Sequence, residues 1–290
     1  MKNVLVHLRL HFQLLLAPVF LWGWLIAGGG LSWSVVLAFV SLHVFLYAGA
    51  TAFNSYYDRD EGPVGGLERP PPVEPALLPV SLGMKAFGAL LAALVNWPFL
   101  IVYLAFALLS LAYSHPRIRL KASTWGSVLT VALGQGVLAF LGAWAAVRGE
   151  LWSALSAQGA LGALAAALLI LAVYPLTQLY QADEDRARGD RTIAVAWGAR
   201  RCFVFAELCG VVGGAAMLAT LWQAFGLLDV LLVGLGLSAE LVAIAWWARC
   251  YDPLQTLANY RHVMRLNTLS AGGLSLYLLG RLAASAPVWR

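Results

Sequence analysis

Apolar residues run along this chain in long unbroken blocks, not in the alternation of half-buried strands or the narrow stripe of a surface helix. A helix needs about 20 mostly apolar residues to cross the hydrocarbon of a bilayer. Nine such stretches recur between short polar breaks, over residues 12–30, 33–53, 82–97, 98–114, 124–147, 153–178, 202–222, 225–248 and 264–284. The third and fourth are separated only by Asn96, Trp97 and Pro98 inside an apolar run from Ala86 to Tyr113, which is too long for one crossing and suits a tight helical hairpin. The run that begins near the N-terminus continues far past a signal-peptide core and reads as a retained first span. The expected fold is therefore an all-α membrane protein, a single domain over residues 1–290 built on nine transmembrane helices.

Composition closes off the alternatives. Of 290 residues 61% are apolar or aromatic and 11% are charged, against roughly 45–50% and about 25% in soluble domains. That excludes an ordinary soluble enzyme or a nucleic-acid-binding domain. The formal charge of +5 matters through its placement. With the N-terminus inside, sixteen Lys and Arg side chains fall on one side of the membrane and only Arg148, Arg281 and Arg290 on the other. This asymmetry predicts a cytoplasmic N-terminus. Cys202, Cys209 and Cys250 have no metal-ligand spacing and read as small apolar filler.

The acidic residues are more informative. Nine of fourteen lie in two loops on the basic side: Asp58, Asp60, Glu61, Glu68 and Glu74 after the second span, and Asp183, Glu184, Asp185 and Asp190 after the sixth. Asn54 and Asp58 are four residues apart and share a helix face, and Gln181 and Asp185 repeat that offset. The two aspartates lie 127 residues apart, which suggests an internal duplication of about 12–150 and 151–284. Carboxylate and amide oxygens facing one another suit a hard cation such as Mg²⁺, which is usually held by a few carboxylates together with phosphate oxygens. The metal-ligand candidates are Asn54, Asp58, Asp60, Glu61, Gln181, Asp183 and Asp185. Arg69, Arg117, Arg119, Lys121, Arg186 and Arg191 would add charge-assisted contacts to a diphosphate. The plainer reading is charged loops at a membrane surface, and it fits single bases better than it fits the paired acids.

These motifs resemble those of the UbiA superfamily of intramembrane prenyltransferases. Asn54-x-x-x-Asp58 with Arg69-Pro70 is similar to the family's first motif, Tyr113-Ser-His-Pro116 with Arg119-Leu-Lys121 to its segment after helix four, and Asp185-Arg-Ala-Arg-Gly189-Asp-Arg-Thr192 to its second motif. Gly62 and Gln181 stand where the family usually carries further aspartates. The resemblance implies a UbiA-like nine-helix bundle and a multi-pass integral membrane enzyme, in the cytoplasmic membrane if bacterial, with its active-site loops cytoplasmic. It implies Mg²⁺-dependent transfer of a prenyl group from an allylic prenyl diphosphate to an aromatic or other lipophilic acceptor. Asn54, Asp58, Lys121 and Asp185 would carry the chemistry and Tyr180 would join the diphosphate site. Tyr57, Tyr174 and Tyr180 are candidates to face the allylic cation. A related terpene cyclase or isoprenoid elongase is the nearest alternative. A transporter is the non-enzyme alternative, disfavoured because ionisable groups gather at one end instead of lining a path. Glu207, Glu240, His43, Gln135, Asn267 and Gln13 are polar residues inside spans and are expected to face a cavity or a partner helix.

Overall fold

A computed structural model describes residues 2–285. Among these, nine long helices follow one another: α1 (Lys2–Ile26), α2 (Trp33–Asp58), α3 (Leu77–Val95), α4 (Trp97–Ser114), α5 (Thr124–Arg148), α6 (Ala157–Ala187), α7 (Ile193–Ala224), α8 (Leu227–Cys250) and α9 (Thr256–Ser285). The first eight are long and apolar enough to cross a membrane. Helix α9 has the length but is more polar, with Asn259, Arg261, Arg265, Asn267 and Arg281 along it. Arg290 lies outside the described residues.

The expected hairpin forms where the sequence breaks. Asn96 adopts an extended conformation, its side chain accepts from the Phe99 N–H at 2.8 Å and donates to the Ala145 carbonyl at 2.9 Å, and Pro98 sits in the first turn of α4. An amide that caps one helix and docks on another satisfies a donor and an acceptor that the bilayer could not.

Helix limits depart from the hydropathy blocks mainly where polar segments extend a helix beyond the hydrocarbon. Helix α1 starts at Lys2, but its first turns, Lys2–His7, are separated from the rest by Arg9, whose φ is 48°. They fold over the first acidic loop, where the His7 ring bonds the Pro71 carbonyl at 2.9 Å. Helix α7 begins at Ile193 and is broken at Gly198, φ 73°, a value that suits a residue without Cβ. Helix α2 passes through a π-helical segment, Ser41–Tyr47, and α5 through another, Ala132–Leu138. Such wider turns are rare and recur at functional sites.

Helix α6 is the centre of the bundle and touches α1, α5, α7 and α9. A large core cluster fills the end away from the acidic loops, around Phe20, Trp22, Phe99 and Phe140, and a second lies under the loops around Leu176, Ile193, Phe203 and Trp247. The Trp22 indole donates to the Gly162 carbonyl at 3.0 Å and ties α1 to α6 in the half away from the acidic loops.

Candidate active site

Asp58 is the last residue of α2, and Arg59 reverses the chain with φ 51°. A non-glycine residue in this left-handed region sacrifices about 1–2 kcal/mol. Arg9, Arg59 and Arg119 are the non-glycine residues with positive φ among those described, and all three border the acidic loops. Strain of this kind persists where the surroundings over-determine a geometry.

The strain frames a cluster of buried charge. Side chains of Asp58, Asp60, Asp185 and Asp190 are 7%, 3%, 8% and 6% exposed, and carboxylates so deep stay ionised only when paired. The Lys121 ammonium donates to Asp58 Oδ2. Arg119 Nη1 stands 3.5 Å from Asp58 Oδ1, while the same guanidinium forks onto Asp190 through bonds of 3.0 and 2.8 Å. The Asn54 amide donates to Asp58 Oδ2 at 2.8 Å and to Ser114 Oγ at 3.1 Å. Arg188 donates to Asp60 Oδ1 at 2.7 Å, to Asp185 Oδ1 at 2.9 Å and to the main-chain carbonyl of Asp58 at 3.4 Å. The Thr192 hydroxyl bonds the other Asp185 oxygen at 3.1 Å. Burial pulls the Lys121 ammonium below the ordinary lysine range, with Asp58 working against it. The bonds to Asp190 raise Arg119. Burial opposes the charge on Arg188, but Asp60 and Asp185 prevail and hold it above the usual arginine range.

Three loops are laced together around these groups. The Glu184 carboxylate accepts the N–H groups of Glu61 and Gly62, at 3.1 and 3.3 Å. A Cβ on residue 62 would meet Glu184 Oε2 at 2.9 Å, so a larger residue there would push this carboxylate aside. The Arg191 N–H donates to the Ala122 carbonyl at 2.8 Å and Thr124 Oγ1 to the Arg191 carbonyl at 2.7 Å, which joins the α6–α7 loop to the α4–α5 loop. Arg9, buried, holds the first acidic loop from beneath through Gly65 O at 3.1 Å and Ser55 Oγ at 2.5 Å.

Below the network lies a cavity of about 950 Å³. Its upper wall is polar, with Arg9, Asn54, Ser114, Gln178 and Gln181, and it deepens between apolar residues that include Val19, Trp22, Phe106, Met217 and Val233. Tyr113 and Tyr174 line it near the top with their hydroxyls 3.3 Å apart. Leu235 on α8 and Leu269 on α9 both line the cavity and are 73% and 76% exposed, so it opens sideways between these helices.

Across residues 15–269 the sequence matches the UbiA prenyltransferase family. The chain belongs to that family. Its fold is also that of solved relatives. A UbiA homologue from Archaeoglobus fulgidus bound to DMAPP and Mg²⁺ superposes with a TM-score of 0.69 at 20% identity, covering 97% of this chain and 99% of that one. A digeranylgeranylglyceryl phosphate synthase gives 0.66 at 16% identity with 97% and 98% covered. The UbiA homologue from Aeropyrum pernix K1, in its apo form, gives 0.63 at 16% with 92% and 97% covered. No curated protein matches the chain.

In this UbiA-family prenyltransferase the structure gathers Asn54, Asp58, Asp60, Arg119, Lys121 and Asp185 into one network. Tyr180 lines the cavity beside it, edge-on to Tyr260 at 5.2 Å, and Gln181 lines the wall. Other sequence candidates stay outside. Asp183 is 85% exposed and pairs at 2.6 Å with Arg186, which also points outward. Glu61 contributes its main-chain N–H and leaves its side chain exposed. Arg69, Arg117 and Arg191 have exposed side chains, and no ion pair joins them to the buried carboxylates among the described residues. Tyr57 packs on Phe53, Tyr56 and His115. Sequence reasoning missed Arg188, Asp190, Thr192 and Glu184 as members of the network, and Arg9 as its floor. The offset of three from Asp185 to Arg188 was a readable signal. Arg9 offered none, since its place depends on a left-handed kink.

Of the polar residues within spans, Gln13, Gln135, Glu240 and Asn267 line the cavity, whereas His43 stacks on Phe39 with centroids 4.0 Å apart. The donor set at the network is hard oxygen, and one buried oxygen, Asp58 Oδ1, accepts no hydrogen bond. Among the described residues no three His, Cys, Asp or Glu side chains form a ready cage for a cation. The residues therefore fit a metal that completes its shell with ligand oxygens better than one fully enclosed by protein.

Proposed function

We propose that the protein transfers a prenyl group from an allylic prenyl diphosphate, held with Mg²⁺ between its two acidic loops, to a lipophilic acceptor that enters from the bilayer, and that the loops face the cytoplasm. The observation that carries this reading is the stacking of a paired, buried acidic network on the polar mouth of a 950 Å³ apolar cavity. A diphosphate and an isoprenoid tail need those two environments in that order.

Asp58 and Asp185, with the amide oxygens of Asn54 and Gln181, are the groups that would hold Mg²⁺. When bound, the metal supplies Lewis-acid stabilisation of the leaving diphosphate. Lys121 and Arg119 sit where negative charge develops as the C–O bond breaks, and donors already in place there lose little to reorganisation. The Tyr113 and Tyr174 rings form the throat just below, where electron-rich faces stabilise positive charge on the allyl carbons. The acceptor's nucleophilic atom then forms the new bond and its proton is lost. The sideways opening between α8 and α9 favours an external acceptor over cyclisation of the tail on itself.

The test is release of inorganic diphosphate from geranyl or geranylgeranyl diphosphate by protein in lipid nanodiscs, with and without Mg²⁺, with products resolved by mass. A prenylated acceptor with Mg²⁺ dependence is expected. A cyclic hydrocarbon formed without acceptor would replace the transferase reading with the cyclase one, and undiminished release in both Asp58→Ala and Asp185→Ala would overturn the site.

A further inference from the structure

Four buried carboxylates, Asp58, Asp60, Asp185 and Asp190, face three cations, Arg119, Lys121 and Arg188. The three are not used alike. Arg119 is committed to Asp190 through a two-bond fork, and Lys121 is buried against Asp58. Arg188 instead divides its two terminal nitrogens between carboxylates of different loops, Asp60 at 2.7 Å and Asp185 at 2.9 Å, with Glu184 at 3.5 Å and Asp190 at 3.9 Å around it. Its guanidinium thus lies between the two acidic clusters and occupies Asp185 Oδ1, one of the oxygens that the proposed function gives to a cation. It is 23% exposed, and its head group is held by these ion pairs and by a longer bond, 3.4 Å, to the Asp58 carbonyl.

Two demands follow if the site takes a metal and a diphosphate. The Asp185 oxygen that Arg188 holds must be released for a cation to reach it. The incoming anion, meanwhile, needs more positive charge than Arg119 and Lys121 can offer while they remain on carboxylates. One movement meets both. We propose that Arg188 is an exchangeable resident cation: it neutralises Asp60 and Asp185 and clasps the two loops before substrate arrives, then gives up those oxygens and turns its N–H fork onto the diphosphate. Arginine suits the exchange because it stays charged and its planar fork fits carboxylate and phosphate alike. This inference rests on the prenyl diphosphate reading of the site.

The proposal predicts effects of opposite sign, which a purely structural clasp would not give. Calorimetry on protein in nanodiscs would measure Mn²⁺ alone as the metal probe, and inorganic diphosphate in saturating Mg²⁺ as the anion probe. In Arg188→Gln, Mn²⁺ should bind about tenfold more tightly, because its competitor is gone, and diphosphate about tenfold more weakly, because a charge-assisted contact is lost. If R188Q proves too unstable to measure, Arg188→Lys reads the same two signs, since one ammonium cannot hold both carboxylates. Both affinities falling together, or neither changing, would overturn the proposal. Failure of the unaltered protein to bind diphosphate at all would instead sink the prenyl diphosphate reading on which it rests.

Discussion

The two ends of the bundle both bury aspartate against arginine, and they do it differently. Away from the loops, Asp229 at the start of α8 accepts the Tyr277 hydroxyl at 2.7 Å and forms an ion pair with Arg281, whose Nε lies 3.1 Å away, both from α9, and Arg281 also lies over the Phe225 ring, 4.4 Å from its centroid. That cluster is local and joins neighbouring helices. At the loop end the partners of Asp58 come from α2 and the α4–α5 loop, and those of Asp60 and Asp185 from the α6–α7 loop, so three loops are bound into one surface. The first arrangement needs its charges to hold two helices together. The second holds more charge than such a joint requires, borders the mouth of a cavity, and leaves an Asp58 oxygen without a hydrogen bond. Connectivity and unspent acceptors, more than burial of charge as such, separate a site from a strut.

The comparison breaks most sharply on carboxylates of the loop end. Asp58→Asn and Asp185→Asn should each lower the rate of diphosphate release by about a thousandfold, the scale of a lost electrostatic contact to the transition state. Melting temperatures should fall as well, because each change takes a carboxylate from a buried cation, Lys121 or Arg188, so rates are compared at a temperature where both variants stay folded. Lys121→Met should cost about a hundredfold by the same reasoning. Its pH behaviour is a separate check. The ammonium is charged below its pKa and burial has lowered that pKa, so KM for the prenyl diphosphate should climb on the alkaline side before an ordinary lysine would titrate. Lys121→Arg should abolish that climb. At the opposite end the expectation reverses. Asp229→Ala removes the carboxylate that Tyr277 and Arg281 share and should lower stability by about 1–2 kcal/mol, read as a fall in melting temperature, while turnover at permissive temperature stays near the parent. The smallest effect belongs to Glu68→Ala, which removes an exposed pair with Arg261, 2.7 Å in the structure. Exposed pairs contribute little, and no measurable change in melting temperature is expected.

Much of this architecture is written plainly in the chain. Hydrophobic length places the helices, and Asn96 with Pro98 marks the hairpin. The four-residue offset from Asn54 to Asp58 survives as a hydrogen bond. What the sequence conceals is phase. In the segment Ala182–Ala187 and the residue after it, the pairs Asp183 with Arg186 and Asp185 with Arg188 have the same spacing and chemistry, yet one faces water and the other the network. The choice is set by the 3₁₀ turn at Leu179–Gln181, which rotates the helix that follows it and has no clear residue signature. Gly62 is similar. As a sequence position it reads as a missing carboxylate, and only the fold shows the Glu184 carboxylate from another loop lying against it.

The π-helical segment of α2 carries one more consequence. An α-helix turns about 100° per residue, so each wide turn acts as a one-residue insertion that resets the rotational phase of everything beyond it. Tyr47, inside that segment, lines the cavity, and Asn54 and Asp58 follow it by two and three turns. Deleting one residue between that segment and Asn54, such as Ala50, would leave a helix still long and apolar enough to span the bilayer, yet it would swing Asn54 and Asp58 by about that same angle away from Lys121. Hydropathy would register almost no change, and the acidic network would lose its first member to rotation alone.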